Sequence, residues 1–106
     1  MRQEISVEEL GQWLRERRDF VLLDVREPYE VSVAPIPGAF VVPMREIPER
    51  AGELAKDRPV AVICHHGGRS QRVAQFLSAC GFASVVNVEG GIDAYSRRVD
   101  SSIPVY

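Results

Sequence analysis

Cys64 stands where an apolar run ends, and Arg69 and Ser70 follow it after a loop with two glycines: VAVICHHGGRSQRVAQFL, residues 60–77. The backbone N–H groups of such a loop can turn toward one point, because Gly67 and Gly68 tolerate the dihedrals this needs. A helix starting near Ser70 adds about half a positive charge at its N-terminus, and the Arg69 guanidinium adds a full one. The centre of the loop therefore favours an anion. The nearest candidate anion is the Cys64 thiolate. Helix N-termini and cationic neighbours lower a cysteine pKa from about 8.5 to about 3.5–7.5. A thiolate held this way is a nucleophile at neutral pH and needs no dedicated base.

The neighbouring residues divide into those with chemistry to offer and those with a packing role. His65 and His66 can add donors and an adjustable charge at the mouth of the loop. Adjacent residues in a tight loop usually point different ways, and zinc wants about four ligands at separated spacings, so no metal ion is expected. The chemistry calls for no cofactor. Cys80 lies on the apolar side of a helix near its end and reads as core packing. Asp24, Arg26 and Glu27 follow another apolar run. An aspartate there fixes turns and pairs with arginine, so a structural role is expected.

These residues need elements to position them. Apolar runs occur at FVLLD (20–24), AFVVP (39–43), PVAVI (59–63) and SVVNV (84–88). They are continuous rather than alternating, which marks strands covered on both faces, as in a parallel sheet. Helical patterns lie between them. In SVEELGQWLRER, Ser6 and Glu9 have capping-box spacing and Ile5 and Leu10 staple spacing. Val7, Leu10, Trp13 and Leu14 form one stripe. A short turn is expected after Glu27, and a broken or short helix over 44–55, where Pro48 interrupts. Residues 70–80 read as a helix with Val73, Phe76, Leu77 and Cys80 on one face and Gly81 at the C′ position. A last short helix covers 90–99. This alternation predicts an α/β domain with a mainly parallel sheet and helices on both faces, with ligands outside the carboxyl ends of the strands.

The chain has 106 residues, which suits one domain over 1–106. Its net charge of −2 provides no field for nucleic acid or an anionic membrane. The N-terminal MRQEISVEEL has no apolar core of the kind a secretory signal carries, and no run is long enough to span a membrane. A cytoplasmic location is the expectation. The two cysteines, Cys64 and Cys80, are too few for a disulfide scaffold. A helix over 70–80 would separate its ends by about 15 Å, whereas a disulfide needs Cα atoms within about 7 Å. Two free thiols are expected. With no long exposed apolar stripe, a monomer or weak dimer is the default.

Taken in order, LLDVREPYE, IPGA, CHHGGRS and NVEGGIDAY resemble a single-domain rhodanese, a sulfurtransferase module, from about residue 4 to the C-terminus. The resemblance implies a three-layer domain built on a five-stranded sheet. It implies that Cys64 accepts a sulfane sulfur from thiosulfate or a persulfide and passes it to a thiophilic acceptor, which can be a small molecule or a protein. It also implies that the loop from His65 through His66, Gly67, Gly68 and Arg69 to Ser70 binds the transferred sulfur, with Arg69 favouring anionic donors. The chain departs from the family at Ala34–Pro35, where Gly-His is frequent, and at Tyr95, where tryptophan is frequent. Related loops in phosphatases have five residues between cysteine and arginine; here there are four, a narrower cradle suited to one sulfur rather than a tetrahedral phosphoryl group. Two further functions fit the pattern less well: arsenate reduction, which occurs on related loops, and docking to a partner protein.

Overall fold

In the computed structural model, which describes residues 3–106, five parallel strands form one sheet in the order β1-β5-β4-β2-β3. The strands are β1 (Glu4–Ile5), β2 (Val21–Asp24), β3 (Phe40–Val41), β4 (Val60–Ile63) and β5 (Val85–Val88). The helices are α1 (Val7–Arg15), α2 (Pro28–Val33), α3 (Ile47–Arg50), α4 (Gly68–Ala79) and α5 (Gly91–Arg98), with 3₁₀ turns on either side of α3. Each of the four apolar runs contains a strand. The sheet is entirely parallel rather than mainly so. The fifth strand, β1, has only two residues, Glu4 and Ile5, in register with Asn87 and Val88. It is too short to leave a periodic signal.

Alternation along the strands divides the core into two layers. Leu22, Ala61, Ile63, Val86 and Val88 face Val7 and Leu10 of α1 and Ile92 and Tyr95 of α5. Leu23, Val60, Val62, Cys64 and Val85 face Val73, Ala74 and Leu77 of α4 and Ile47 of α3. β4 is buried at all four positions, which is why its sequence is apolar without alternation.

Local chemistry sets the helix ends. The Ser6 hydroxyl accepts the Glu9 N–H at 3.1 Å and starts α1. Where a short turn was expected after Glu27, a six-residue helix forms instead. Pro28 stands in its first turn, and a capping box joins Glu27 to Glu30. The segment 44–53 is broken into short turns around Pro48, as the proline requires. α4 starts at Gly68, two residues before the expected Ser70, because Gly67 takes φ +110° and turns the chain into the helix early. It ends in a Schellman arrangement: Phe82 N–H donates to Leu77 O and Gly81 N–H to Ser78 O, with Gly81 at φ +94°. Phe76, expected on the buried face, is 39% exposed. The buried stripe runs through Ser70, Val73, Ala74 and Leu77, one step around the helix from Phe76.

β2 connects outward to β3, whereas β4 connects to β5 on the opposite side. The boundary between β2 and β4 is thus the switch point of the sheet, the place where such folds open a crevice at the carboxyl ends of their strands. Cys64 follows β4 there, and Val25–Glu27 follow β2.

Candidate active site at the end of β4

Cys64 continues β4 into the loop and is 1% exposed, with its side chain in the α4 layer. Gly67 N–H donates to its Sγ at 3.1 Å, and the Ser70 hydroxyl lies 3.3 Å from the same atom. Burial alone would push the thiol pKa up. Hydrogen bonds from the Ser70 hydroxyl and from the N–H groups of Ser70, Gly67 and His66 more than offset this and hold it below the ordinary value. The donors around Sγ belong to His66, Gly67 and Ser70.

The loop keeps this shape because α5 starts against it. Ile92 N–H donates to Cys64 O at 2.8 Å and Asp93 N–H to His65 O at 3.0 Å. A Cβ on Gly91 would stand 2.5 Å from both of those carbonyl oxygens, so only glycine allows the approach. Behind the sulfur, Ser70 Oγ also lies 2.5 Å from Asn87 Oδ1 and 3.2 Å from Gly67 O. Asn87 Nδ2 in turn donates to Gly67 O and to Glu4 Oε2. The one Ser70 proton is thus shared among sulfur, amide and carbonyl acceptors.

Arg69 is held by a carboxylate from α2. Its Nη1 and Nη2 fork onto Glu30 Oε1 and Oε2 at 2.6 and 2.8 Å. Glu30 Oε1 also accepts the Glu27 N–H, and Oε2 accepts the Tyr106 hydroxyl at 2.9 Å. The Arg69 hydrogen bonds, working against burial, bring the Glu30 carboxyl down to about 2. The Tyr106 phenol is raised to about 12, first by burial. Its oxygen also accepts from Arg26 Nη1 at 3.1 Å. Arg26 and Asp24 form a pair with both side chains fully buried, 2.7 Å between Nη2 and Oδ2. Arg26 Nη2 also donates to Ala34 O at 2.8 Å. Asp24 and Arg26 thus brace the turn after β2, as expected of them, and the backbone carbonyl at position 34, which any residue there would offer, ties this turn down.

The histidines differ from expectation. The two rings lie side by side, with centroids 3.9 Å apart, rather than pointing apart. His65 also stacks on Tyr106 at 3.9 Å and 4°, and its Nε2–H donates to Tyr106 O at 2.8 Å. Ligand atoms of His65, His66 and Asp93 come within 4.8 Å of one another. Asp93 is also paired with Arg97, and His65 with Tyr106. Gly68, the remaining predicted loop residue, is exposed at the first position of α4. Both cysteines are free; Cys80, half-buried at the end of α4, packs against the same core layer.

Sequence reasoning missed Glu30, Asn87 and Tyr106. Glu30 had a signal, since it follows Glu27 at capping-box spacing behind a proline. Asn87 had another, as the polar residue inside VVNV. Tyr106 had none, because only the fold brings it to the loop. A groove of about 520 Å³ between α4 and the β1–β5 edge is lined by Glu4, Gln71 and Asn87 but by no residue of 64–70, so it lies outside the cradle.

The fold is that of the rhodanese-like sulfurtransferases. The rhodanese-like domain profile matches residues 6–98. The chain belongs to the rhodanese-like family. It is 42% identical over 110 residues to rhodanese-like/PpiC domain-containing protein 12, chloroplastic, of Arabidopsis thaliana, covering 97% of this chain and 37% of that one. It is 40% identical over 95 residues to a sulfurtransferase of Allochromatium vinosum, covering 90% and 89% of the two chains. A rhodanese-like domain protein from Staphylococcus aureus superposes with a TM-score of 0.85 at 32% identity, covering 98% of each chain. The chain thus spans little more than a third of the Arabidopsis relative and most of the other two. Among the described residues, no helix is long and apolar enough to cross a membrane.

Proposed function

We propose that this rhodanese-like sulfurtransferase carries a sulfane sulfur on Cys64, taking it from thiosulfate or a persulfide and delivering it to a thiophilic acceptor. The observation that carries the reading is the ring of donors around Sγ: Gly67 N–H at 3.1 Å, the Ser70 hydroxyl at 3.3 Å, and the N–H groups of Ser70 and His66. In the first step the Cys64 thiolate attacks the outer sulfur of the donor. An Sγ–S bond forms, the donor's own bond to that sulfur breaks, and sulfite or a thiolate leaves with the electron pair. In the second step the acceptor attacks the outer sulfur and the Cys64 thiolate leaves. Both thiolate and persulfide anions suit the cradle, so the same donors serve before and after transfer.

The acceptor in this reading is cyanide, a small thiol or a protein thiol; a protein persulfide is equally suited to be donor. A phosphatase reaction is disfavoured by Arg69, whose two terminal nitrogens are already taken up by Glu30. The test is steady-state transfer from thiosulfate or a persulfide to cyanide, followed as thiocyanate. The wild type should turn over and Cys64→Ser should not. Equal rates for the two would remove Cys64 from the reaction.

A further inference from the structure

The sulfur cradle explains how the loop holds a transferred atom. It leaves open what the loop asks of the molecule that brings it. Arg69 is the side-chain cation nearest in sequence to the cradle, and the Cys64 charge reinforces its own. Yet both of its terminal nitrogens are held by one carboxylate in a forked pair, at 2.6 and 2.8 Å. That carboxylate is itself fixed. Glu30 is 5% exposed on its side chain, and it takes two further donors, the Glu27 N–H and the Tyr106 hydroxyl. Immediately behind it, Arg26 is matched by Asp24 with both side chains fully buried. Arg69 and Arg26 thus each have their anion. The N–H and O–H groups around Sγ, by contrast, act on one atom at contact distance rather than on the total charge of a molecule.

We infer that Glu30 is a specificity-determining residue: by neutralising Arg69 it makes the site select donors by their sulfane sulfur rather than by the negative charge of the leaving group. A persulfide of low net charge is then as good a substrate as a dianion of the thiosulfate type. This inference rests on the sulfurtransferase reading above and adds the substrate class to it. Glu30 does not touch the reacting atoms; it acts through Arg69.

The test is a charge cycle. The wild-type pair is neutral, Glu30→Gln leaves +1, Arg69→Met leaves −1, and the double variant is neutral again. Gln at 30 keeps the shape, the capping-box spacing and an oxygen for Arg69. Two donors are compared in single-turnover loading of Cys64, thiosulfate and cysteamine persulfide, the second having an ammonium that cancels its persulfide charge. The quantity read is the ratio of their second-order rate constants. Glu30→Gln should move this ratio about tenfold toward thiosulfate and Arg69→Met about tenfold away, as one unit charge acting on a dianion across a partly solvated gap requires. The double variant should return to within about threefold of wild type. A purely structural role for the pair would instead slow both donors together and leave the ratio fixed in all four proteins. That result would overturn the inference while leaving sulfur transfer intact. Failure of the wild type to load sulfur from either donor would overturn the reading beneath it as well. Should one single variant fail to fold, the other, shifted about tenfold, and the double, close to wild type, still differ in expectation, whereas a structural role leaves the ratio fixed in both.

Discussion

Replacing Ser70 with alanine tests the origin of the Cys64 nucleophile most closely. Its hydroxyl is 3.3 Å from Sγ and gives the largest of the contributions that lower the thiol pKa. A hydrogen bond to a charged group contributes about 1.5–3 kcal/mol. The Ser70 proton is also claimed by Asn87 Oδ1 at 2.5 Å and Gly67 O at 3.2 Å, which places its effect on sulfur at the lower end of that range. About 1.4 kcal/mol corresponds to a tenfold change in ionisation. Ser70→Ala should therefore reduce the thiolate fraction about tenfold at any pH below the Cys64 pKa, with no difference once both proteins are fully ionised. The assay is the pH dependence of iodoacetamide alkylation, in a Cys80→Ser background so that Cys64 alone reports. Equal rates at low pH, or faster alkylation of the alanine variant, would refute the claim that this hydroxyl stabilises the thiolate. The three backbone N–H groups would then account for the pKa by themselves.

Other consequences follow from the same geometry. Gly91→Ala places a methyl group 2.5 Å from the carbonyl oxygens of Cys64 and His65 at a φ of +62°, so it should destabilise the protein by at least about 2–3 kcal/mol in urea denaturation and reduce sulfur transfer. A variant as stable and active as wild type would contradict the close packing of α5 on the loop. Glu30 has its carboxyl lowered from 4.5 to about 2, so its pair with Arg69 stabilises the fold above the unfolded pKa, and that stability is lost as pH falls from about 4.5 to about 2. The denaturation midpoint of Glu30→Gln should fall less steeply across that window than that of wild type; parallel profiles would show that the pair contributes nothing to acid stability. Cys80→Ser should keep most of the transfer activity, since Cys80 sits at the far end of α4, twelve residues of helix away from the cradle. Complete loss in a folded Cys80→Ser protein would give Cys80 a chemical role.

The parts of this site that were legible in the sequence are those built by contiguous residues. Cys64, Gly67 and Ser70 share one turn of chain, so a strand pattern, two glycines and a helix pattern suffice to place them around one point. The apolar runs revealed β2 to β5 because strands covered on both faces leave uninterrupted hydrophobic segments. The two-residue β1 left no such trace. Arg69 shows where local reading stops. Its position near the loop was correct, but its direction depends on Glu30, 39 residues earlier in the chain. Tyr106 and Asn87 likewise act through contacts that only the folded sheet creates. The histidines fail for a related reason: Tyr106 stacks on His65 and orients it, and a sequence rule about neighbouring side chains cannot include a ring that arrives from 41 residues away. Helical spacing alone puts Phe76 on the buried face, whereas the buried stripe starts at Ser70, which turns inward to reach the sulfur, and continues through Val73, Ala74 and Leu77.

The central claim is that Cys64 carries the sulfur. Intact-protein mass spectrometry tests it most directly. Wild type, Cys64→Ser and Cys80→Ser would be incubated with thiosulfate or glutathione persulfide without reductant, and then treated with cyanide. A gain of one sulfur atom is expected on wild type and on Cys80→Ser, removed again by cyanide, and no gain on Cys64→Ser. Sulfur gained equally by Cys64→Ser, or by no protein with either donor, would contradict the claim.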